Sequence, residues 1–282
     1  MKVLVTGVAG QLGYDVCKKL DMDGVENKGI DIADCDLTDG RAVMDAVSGY
    51  GPTHVVHCAA YTAVDKAESE KALCRCVNVD GTAHIARACA KAGAEMMYFS
   101  TDYVFDGVSK ETPWEVDDPK KPINTYGQTK YDGELAVQDA LERYYIMRIS
   151  WVFGLNGNNF IKTMLRLAKE RDELSVVDDQ IGAPTWTRHT ANLVADMLKS
   201  GKYGVYHAPN MGVCSWYQFA KEIFEDAGVD VKVNPIPSSQ YPVPAARPKN
   251  SRLSVRSLDE AGFARLPHYR DALREYLLQL LK

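Results

Sequence analysis

The stretch Lys2-Val3-Leu4-Val5-Thr6-Gly7-Val8-Ala9-Gly10-Gln11-Leu12-Gly13 decides the fold. Its first five residues form a short β-branched run that predicts a buried strand, and a helical pattern follows the glycines as far as Leu20. Glycines at positions 7, 10 and 13 permit a tight turn, close approach of the backbone to a pyrophosphate, and close packing of helix on strand. The spacing is Gly-x-x-Gly-x-x-Gly rather than Gly-x-Gly-x-x-Gly, so a purely structural turn is the alternative.

The rest of the chain continues the alternation of strand and helix, which predicts an α/β fold with a Rossmann-type doubly wound parallel sheet. Further strands are predicted at 29–31, 54–58, 95–99 and 145–149. Beyond residue 170 the rhythm loosens, which predicts a smaller C-terminal substrate-binding lobe. We expect a dinucleotide-binding domain over 1–153 with returning segments from 154–210, the smaller lobe over about 211–268, and a C-terminal helix over 269–282.

Asp31 stands at the predicted end of the second strand, about 20 residues after the glycine turn. A carboxylate there accepts hydrogen bonds from the adenosine ribose and disfavours a 2′-phosphate, so Asp31 predicts NADH over NADPH. Asp36 and Leu37 follow and could lie near the adenine, or they could only cap the next helix, for which Thr38 or Asp39 is the expected N-cap.

The third predicted strand leaves through Ala59-Ala60-Tyr61-Thr62, whose small residues would let a dinucleotide pass close to the backbone. His54 and His57 have no partner at metal-ligand spacing, so we expect both to be packing or surface residues. Asn78 interrupts an apolar helical face, either as a polar strut behind the site or as an ordinary helix residue.

Ser100 to Gly107 follows the fourth strand and therefore emerges at the ligand-binding edge of the predicted sheet. Tyr126 and Lys130 lie four apart at the start of a helical segment, so they share one face. A neighbouring ammonium stabilises a phenolate, which predicts a lowered pKa for Tyr126 and a role in acid–base catalysis. Thr101 could share the substrate oxygen with Tyr126. An isolated Tyr-x-x-x-Lys is more often a solvated helix pair.

Trp151 follows the fifth strand at the same edge, where it could stack on a sugar or base or belong to the core. The proline-rich stretch 235–248 is expected to shape a pocket rather than serve as a linker.

Composition narrows the class of protein further. The 282 residues carry a net charge of −5 without a basic block, which argues against a nucleic-acid binder. The seven cysteines form no Cys-x-x-Cys pair, so neither a zinc site nor a disulfide framework is expected. The strand at the first residues leaves no room for a signal peptide, and no apolar run approaches membrane-spanning length. We therefore expect a cytoplasmic protein without a membrane partner.

These motifs together resemble the extended short-chain dehydrogenase/reductases and, among them, the dTDP-4-dehydrorhamnose reductase family. The segments that carry the closer resemblance span nearly the whole chain: 6–13, 61–68, 100–107, 126–130, 150–152, 158–160, 164–168, 179–185 and 247–253. The resemblance implies NAD(P)H-dependent reduction of the C4 ketone of a dTDP-linked 6-deoxy-4-keto-hexose, dTDP-4-dehydro-β-L-rhamnose, on the way to cell-surface polysaccharide.

The resemblance also implies roles for individual residues. Tyr126 would donate the proton, Lys130 would tune its pKa and bind the ribose, and Thr101 would tune the carbonyl. The residues that the resemblance and the glycine turn assign to the cofactor are Gly7, Gly10, Gln11, Leu12, Gly13, Asp31, Asp36, Leu37, Ala60, Tyr61, Thr62, Phe99, Tyr126 and Lys130. Those assigned to the substrate are Thr101, Asp102, Trp151 and Arg247, whose planar fork suits a diphosphate. Relatives form homodimers, some with magnesium at the contact, but no metal constellation can be matched here.

Two other functions remain open, and the sequence argues against a third. A 4,6-dehydratase would carry Asp-Glu directly after the threonine, whereas Tyr103 follows Asp102 here. A nucleotide-sugar epimerase would retain its dinucleotide and need no added reductant. A non-catalytic protein resembling the regulatory subunit of methionine adenosyltransferase would bind the dinucleotide without turnover.

Overall fold

The computed structural model describes residues 1–282 and is built on a six-stranded parallel sheet, which confirms the predicted fold class. From one edge to the other the strands run β2-β1-β3-β4-β5-β10. Their bounds are β1 Lys2–Thr6, β2 Glu26–Ile30, β3 His54–His57, β4 Glu95–Thr101, β5 Tyr144–Ile149 and β10 Gly204–His207. The order reverses direction between β1 and β3, and ligands bind outside the carboxyl ends of strands at such a point.

Alternate residues of each strand face opposite sides of the sheet, as the two-residue period of a strand requires. Val3 and Val5 of β1 join one buried cluster, whereas Leu4 joins the other. Helices cover both faces, so the inner strands β1, β3, β4 and β5 are almost wholly buried, which is typical of parallel sheets. The edge strand β2 is mostly polar and exposed.

Helices α1 Gln11–Met22 and α8 Thr187–Met197 pack on the first face and touch each other. Helices α2 Gly40–Tyr50, α5 Thr82–Ala92 and α6 Thr125–Ala140 pack on the second. The N-cap of α2 is Asp39, whose carboxylate accepts from the amides of Arg41 and Ala42, and this settles the choice between Thr38 and Asp39.

The stretch 65–92 is mostly helical but is broken into several pieces. It contains α3 Val64–Ala67, α4 Lys71–Arg75, a π-helical turn at Cys76–Gly81, and then α5. The π turn was not predicted, because an apolar pattern distinguishes poorly between an α-helix and a wider turn. Turns of this kind are frequent at functional sites.

A third buried cluster lies outside the sheet and draws on aromatic residues such as Phe153, Trp186, Phe219 and Tyr276. Helices α7 Phe160–Leu167, α9 Trp216–Ala227 and α11 Tyr269–Leu280 contribute to it, whereas α10 Arg256–Ala261 packs against β10. The short strands outside the six-stranded sheet are β6 Val152–Phe153, β7 Glu173–Val177, β8 Ile181–Gly182, β9 Thr185–Trp186, β11 Asn210–Met211, β12 Cys214–Ser215, β13 Lys232–Ile236 and β14 Leu266–His268. None of the helices is long and apolar enough to cross a membrane.

Candidate active site

A cleft of about 950 Å³ opens at the carboxyl ends of the sheet strands. Every cofactor, catalytic and substrate residue named from the sequence lines it, with the exception of Arg247. Residues that the sequence did not single out also line it, among them Tyr103, Cys58, Ser100 and Asn158. Strand ends from distant parts of the chain meet at one edge, and only the fold reveals which of their neighbours face the cleft.

The glycine turn between β1 and α1 is closed tightly against the next strand. Gly7 adopts φ +71°, a conformation that glycine supplies without strain, and a Cβ there would lie 2.6 Å from the amide nitrogen of Ala59. A Cβ on Gly13 would collide with the carbonyl of Gly7. The cradle therefore fits close passage of a pyrophosphate along the backbone, in front of the amino end of α1.

Asn156 lies on the far side of this turn and was not among the site residues predicted from the sequence. Its side-chain amide donates to the carbonyl of Ala9 at 2.8 Å, while Asn159 donates to Oε1 of Gln11 at 3.1 Å. The asparagine-rich stretch 156–159 could have drawn attention to both residues. Its position over the glycine turn, however, depends on the path of the chain after β5.

Asp31 lies directly after β2 and lines the cleft, as predicted. Its Oδ2 accepts from the amide of Ala9 and its Oδ1 from the amide of Ile32, both at 2.8 Å. Asp36 lines the cleft as well, and it also accepts from the amide and hydroxyl of Thr38. The carboxylate of Asp31 is thus held in place beside the glycine turn.

Asn78 is the polar strut that the sequence offered as one of two interpretations. It is buried, and its Oδ1 accepts from the amide of Tyr61 at 2.7 Å. Its Nδ2 donates to the carbonyl of Tyr61 and to the hydroxyl of Thr129, each at 3.1 Å. The π turn therefore joins the loop after β3 to helix α6.

His54 and His57, the two histidines of β3, are packing residues. Nδ1 of His57 is 2.8 Å from Oγ1 of Thr6, and burial lowers the pKa of His57 to about 3. His54 lies 3.1 Å from a carboxylate oxygen of Glu95 at the opposite end of the strand from the cleft. Both were predicted as packing or surface residues.

Helix α6 presents Tyr126 and Lys130 to the cleft from its first two turns. Its N-cap is Asn124, whose side chain accepts from the amide of Gly127 at 2.7 Å. Glu68 accepts from the amide of Thr125, also at 2.7 Å. Two side chains thus satisfy the free amides at this end of the helix and fix the position of Tyr126.

The prediction that Tyr126 has a lowered pKa is wrong for the folded chain. Desolvation in the cleft raises its pKa, and the nearby Asp102 and Tyr103 raise it further. Hydrogen bonding to Thr101 works in the opposite direction. The spacing of Tyr126 and Lys130 was correct, but the sequence could not reveal how strongly burial and Asp102 oppose a phenolate.

Lys130 is buried, and its ammonium nitrogen lies 4.1 Å from the centroid of the Tyr98 ring. The hydroxyl of Tyr98 donates to the main-chain carbonyl of Lys130 at 3.1 Å, so one tyrosine holds this lysine at both ends. Burial lowers the pKa of Lys130 to about 7, against an opposing contribution from Glu134. Lys130 can therefore change protonation near neutral pH.

Asp102 is a buried carboxyl at the base of the cleft, next to Thr101. Burial raises its pKa to about 6, and hydrogen bonds from Ser251 and Thr101 limit the rise. The hydroxyl of Thr101 donates to Oδ1 of Asp102 at 3.0 Å, whereas Oδ2 is buried without a partner. Asp102 can therefore change protonation near neutral pH.

Trp151 lines the cleft and stacks on Trp216, with ring centroids 3.6 Å apart and an angle of 12° between the planes. It is the single non-glycine residue of the chain with positive φ, at +49°. The indole packs against the third cluster and also lines the cleft, and its stacking on a sugar or base stays a prediction.

Arg247 lies outside the residues that line the cleft. Its Nη2 forms a 2.8 Å ion pair with Asp65, and its Nη1 is buried without a partner. The guanidinium carbon lies 6.0 Å from the centroid of the Tyr103 ring, which does line the cleft. Its assignment to the substrate stays a prediction.

The structure contains no group of three or more His, Cys, Asp or Glu side chains arranged to hold a metal ion, and all seven cysteines are free thiols.

Comparison with known proteins identifies the family. The family model described as "RmlD substrate binding domain" matches residues 1–282. A dTDP-4-dehydrorhamnose reductase from Streptomyces griseus is 42% identical over 279 residues, covering 96% of this chain and 91% of the relative.

Two solved structures are similar over the full chain. A dTDP-4-dehydrorhamnose reductase from Clostridium acetobutylicum superposes with a TM-score of 0.97 at 42% identity, covering 100% of both chains. Another from Bacillus anthracis, in complex with NADP, gives 0.96 at 39% identity, covering 99% of this chain and 100% of that one. The chain belongs to the dTDP-4-dehydrorhamnose reductase family of extended short-chain dehydrogenase/reductases.

Proposed function

We propose that the chain is an oxidoreductase of dTDP-rhamnose biosynthesis that reduces dTDP-4-dehydro-β-L-rhamnose to dTDP-β-L-rhamnose with NADH or NADPH. The observation that carries this proposal is the presence of Thr101, Tyr126 and Lys130 in the same cleft as the glycine turn. Family membership supports the same reaction.

A reduced nicotinamide dinucleotide supplies the hydride that converts the C4 ketone to an alcohol. Tyr126 donates its proton to the oxygen on which negative charge develops, and its raised pKa keeps the phenol protonated before the reaction. Lys130, when charged, stabilises the phenolate that remains and binds the ribose hydroxyls. Thr101 hydrogen-bonds at the same oxygen and orients the carbonyl.

The remaining residues bind and orient the two molecules. Gly10, Gln11 and Leu12 hold the pyrophosphate, and the loop fixed by Asn78 lines the nicotinamide side. Asp102 and Trp151 bind the sugar nucleotide, and Arg247 approaches its diphosphate if the ion pair with Asp65 opens. The domain division predicted from the sequence, with a smaller substrate-binding lobe, belongs to this proposal, as does a homodimer.

Asp31 favours NADH in this proposal. A 2′-phosphate would bring negative charge beside a carboxylate that already accepts two main-chain hydrogen bonds. The Bacillus anthracis relative was solved with NADP, so the preference needs a direct test. We expect the wild type to give a larger kcat/KM with NADH than with NADPH. Asp31→Ser should reduce this preference, measured as the kcat/KM with NADH divided by that with NADPH.

The decisive experiment follows nicotinamide absorbance with dTDP-4-dehydro-β-L-rhamnose as substrate. We expect one reduced dinucleotide to be consumed per product formed. We expect Tyr126→Phe to lower kcat by roughly 100-fold or more, the usual range for a general acid, with unchanged circular dichroism. Tyr131→Phe, on the same helix but outside the cleft, is the matched control.

Each alternative function has its own outcome in this assay. Conversion of sugar nucleotide without net consumption of reductant would indicate an epimerase. Binding of NADH with no turnover would indicate a regulatory protein. Undiminished turnover by Tyr126→Phe would contradict the assignment of the proton donor.

A further inference from the structure

The indole of Trp151 is held in a socket built by the β8–β12 ladder. On one face it stacks on Trp216 at 3.6 Å. The Nε1, Cε2 and Cζ2 atoms of the indole lie against Gly182, where a Cβ would come within 2.5 Å of Cε2. Gly182 of β8 pairs with Cys214 of β12, and Trp216 follows β12 as the first residue of α9.

The backbone of Trp151 is fixed as firmly as its ring. A left-handed conformation costs a non-glycine residue free energy and persists only where its surroundings impose it. The amide of Thr185 donates to the carbonyl of Trp151 at 3.1 Å, and the hydroxyl of the preceding Ser150 donates to the carbonyl of Ala183 at 2.9 Å. The same loop therefore holds the backbone at 151 and supplies Gly182.

Trp216 does not itself line the cleft. Behind it lies Phe160 at 4.6 Å between ring centroids, and Ser215 forms a capping box with Gln218 that fixes the start of α9. The ring of Trp216 is thus held by helix capping on one side and by an aromatic neighbour on the other. It can act on a ligand only through Trp151.

We propose that Trp216, with Gly182, is a positioning residue that presents the flat face of Trp151 to the sugar nucleotide and so sets the affinity for this substrate. The inference rests on the proposed function, in which Trp151 contacts the substrate. An indole free to rotate would lose part of the contact area, whereas the dinucleotide half of the cleft would be unaffected.

The test compares Trp216→Leu, Trp216→Phe and Gly182→Ala with Phe219→Leu as the matched control. Phe219 is a buried aromatic residue of the same helix and cluster that makes no ring contact with Trp151. We expect Trp216→Leu to raise KM for the sugar nucleotide by roughly threefold to tenfold, the worth of one aromatic pair, while kcat and KM for NADH stay within about twofold. Trp216→Phe should restore most of the affinity, and Gly182→Ala should raise KM like Trp216→Leu. Phe219→Leu should lower Tm without changing KM.

A double-mutant cycle tests whether Trp216 acts through Trp151. With Trp151→Leu already present, Trp216→Leu should have little further effect on KM. The exciton couplet of the two stacked indoles in circular dichroism should be present in the wild type and lost in either single variant. Additive effects of the two substitutions on KM, or an equal rise in KM for Phe219→Leu, would overturn the inference.

Failure of the proposed function gives a different result. If the wild type does not reduce the keto sugar, the same variants are compared by calorimetric binding of dTDP. Non-additive losses of dTDP affinity would then support the socket, and unchanged affinity in Trp216→Leu would reject it.

Discussion

Lys130 is buried at a cost to stability, because the fold removes its ammonium from water and offers no carboxylate in direct contact. Its ammonium nitrogen lies over the face of the Tyr98 ring, which stabilises a charge less than an ion pair does. The residue therefore releases its proton far more readily in the folded chain than in the unfolded one.

We expect Lys130→Met to increase stability while abolishing turnover. The pKa of Lys130 falls from 10.5 to about 7 on folding, so between these values the unfolded chain binds the extra proton. The free energy of unfolding of the wild type therefore rises with pH across this window. Lys130→Met should be more stable by on the order of a few kcal/mol at pH 7, with the difference shrinking towards pH 10.

Urea denaturation at several pH values measures this effect. Lys91→Met, at an exposed position on α5, is the control and should show no such dependence. A Lys130→Met variant less stable than the wild type at pH 7 would contradict the claim that burial of the Lys130 ammonium destabilises the folded chain.

The side chains proposed as catalytic could be brought together from the sequence, but their protonation could not be predicted. The four-residue spacing placed Tyr126 and Lys130 correctly on one helix face. The pKa of Tyr126, however, depends on Asp102 and Tyr103, which arrive from β4, and on desolvation by the whole cleft wall. Such non-local contributions leave no pattern in a sequence.

At the scale of elements, helix α6 is packed against the segment after β4 so closely that a glycine is required. A Cβ at Gly127 would collide with the main-chain carbonyl of Tyr103 and lie 3.1 Å from its Cβ. The glycine lets helix α6 approach the end of β4, which carries Thr101.

We expect Gly127→Ala to destabilise the protein by about 1–3 kcal/mol, the usual cost of overpacking, although alanine is the better helix former. The displaced first turn should also lower kcat. Gly49→Ala is the matched control, because that helical glycine of α2 has nothing within 4 Å of the added Cβ, and it should gain about 0.5–1 kcal/mol. Thermal unfolding of both variants decides the matter, and equal shifts in Tm would contradict the close approach.

Long periodic elements were predictable, and interruptions were not. The strands β1, β3, β4 and β5 appear where their patterns placed them, to within about two residues. The π turn at Cys76–Gly81 escaped detection, because Asn78 reads as one polar residue in a helical pattern until Tyr61 and Thr129 are seen beside it.

A buried ion pair joins helix α6 to the sheet at the centre of the molecule. Arg148 of β5 donates from Nε and Nη2 to the two carboxylate oxygens of Glu134 at 2.8 and 2.7 Å. Its Nη1 donates to the carbonyl of Val116 and lies 3.2 Å from Nε2 of His207 on β10. Burial and Arg148 hold the pKa of His207 well below its usual range, so its ring is neutral.

We expect Glu134→Gln to destabilise the protein by about 3–5 kcal/mol, because it leaves the Arg148 guanidinium buried without a countercharge. Glu170→Gln, which removes an exposed ion pair with Arg166, should change stability by less than about 1 kcal/mol. Urea denaturation measures both. A double variant, Glu134→Leu with Arg148→Met, should recover much of the loss, and failure to recover would show that the pair contributes more than charge compensation.

The sheet itself sets the order in which a growing chain can fold. Strand β10 at Gly204–His207 pairs with β5 at Tyr144–Ile149, while part of the third buried cluster is encoded between them. Until residue 207 has left the ribosome, β5 is an open edge with unpaired main-chain groups, a template for misassociation. The sheet is therefore complete only after β10 has been synthesised and has paired with β5. Nascent chains halted before that point should depend on chaperones.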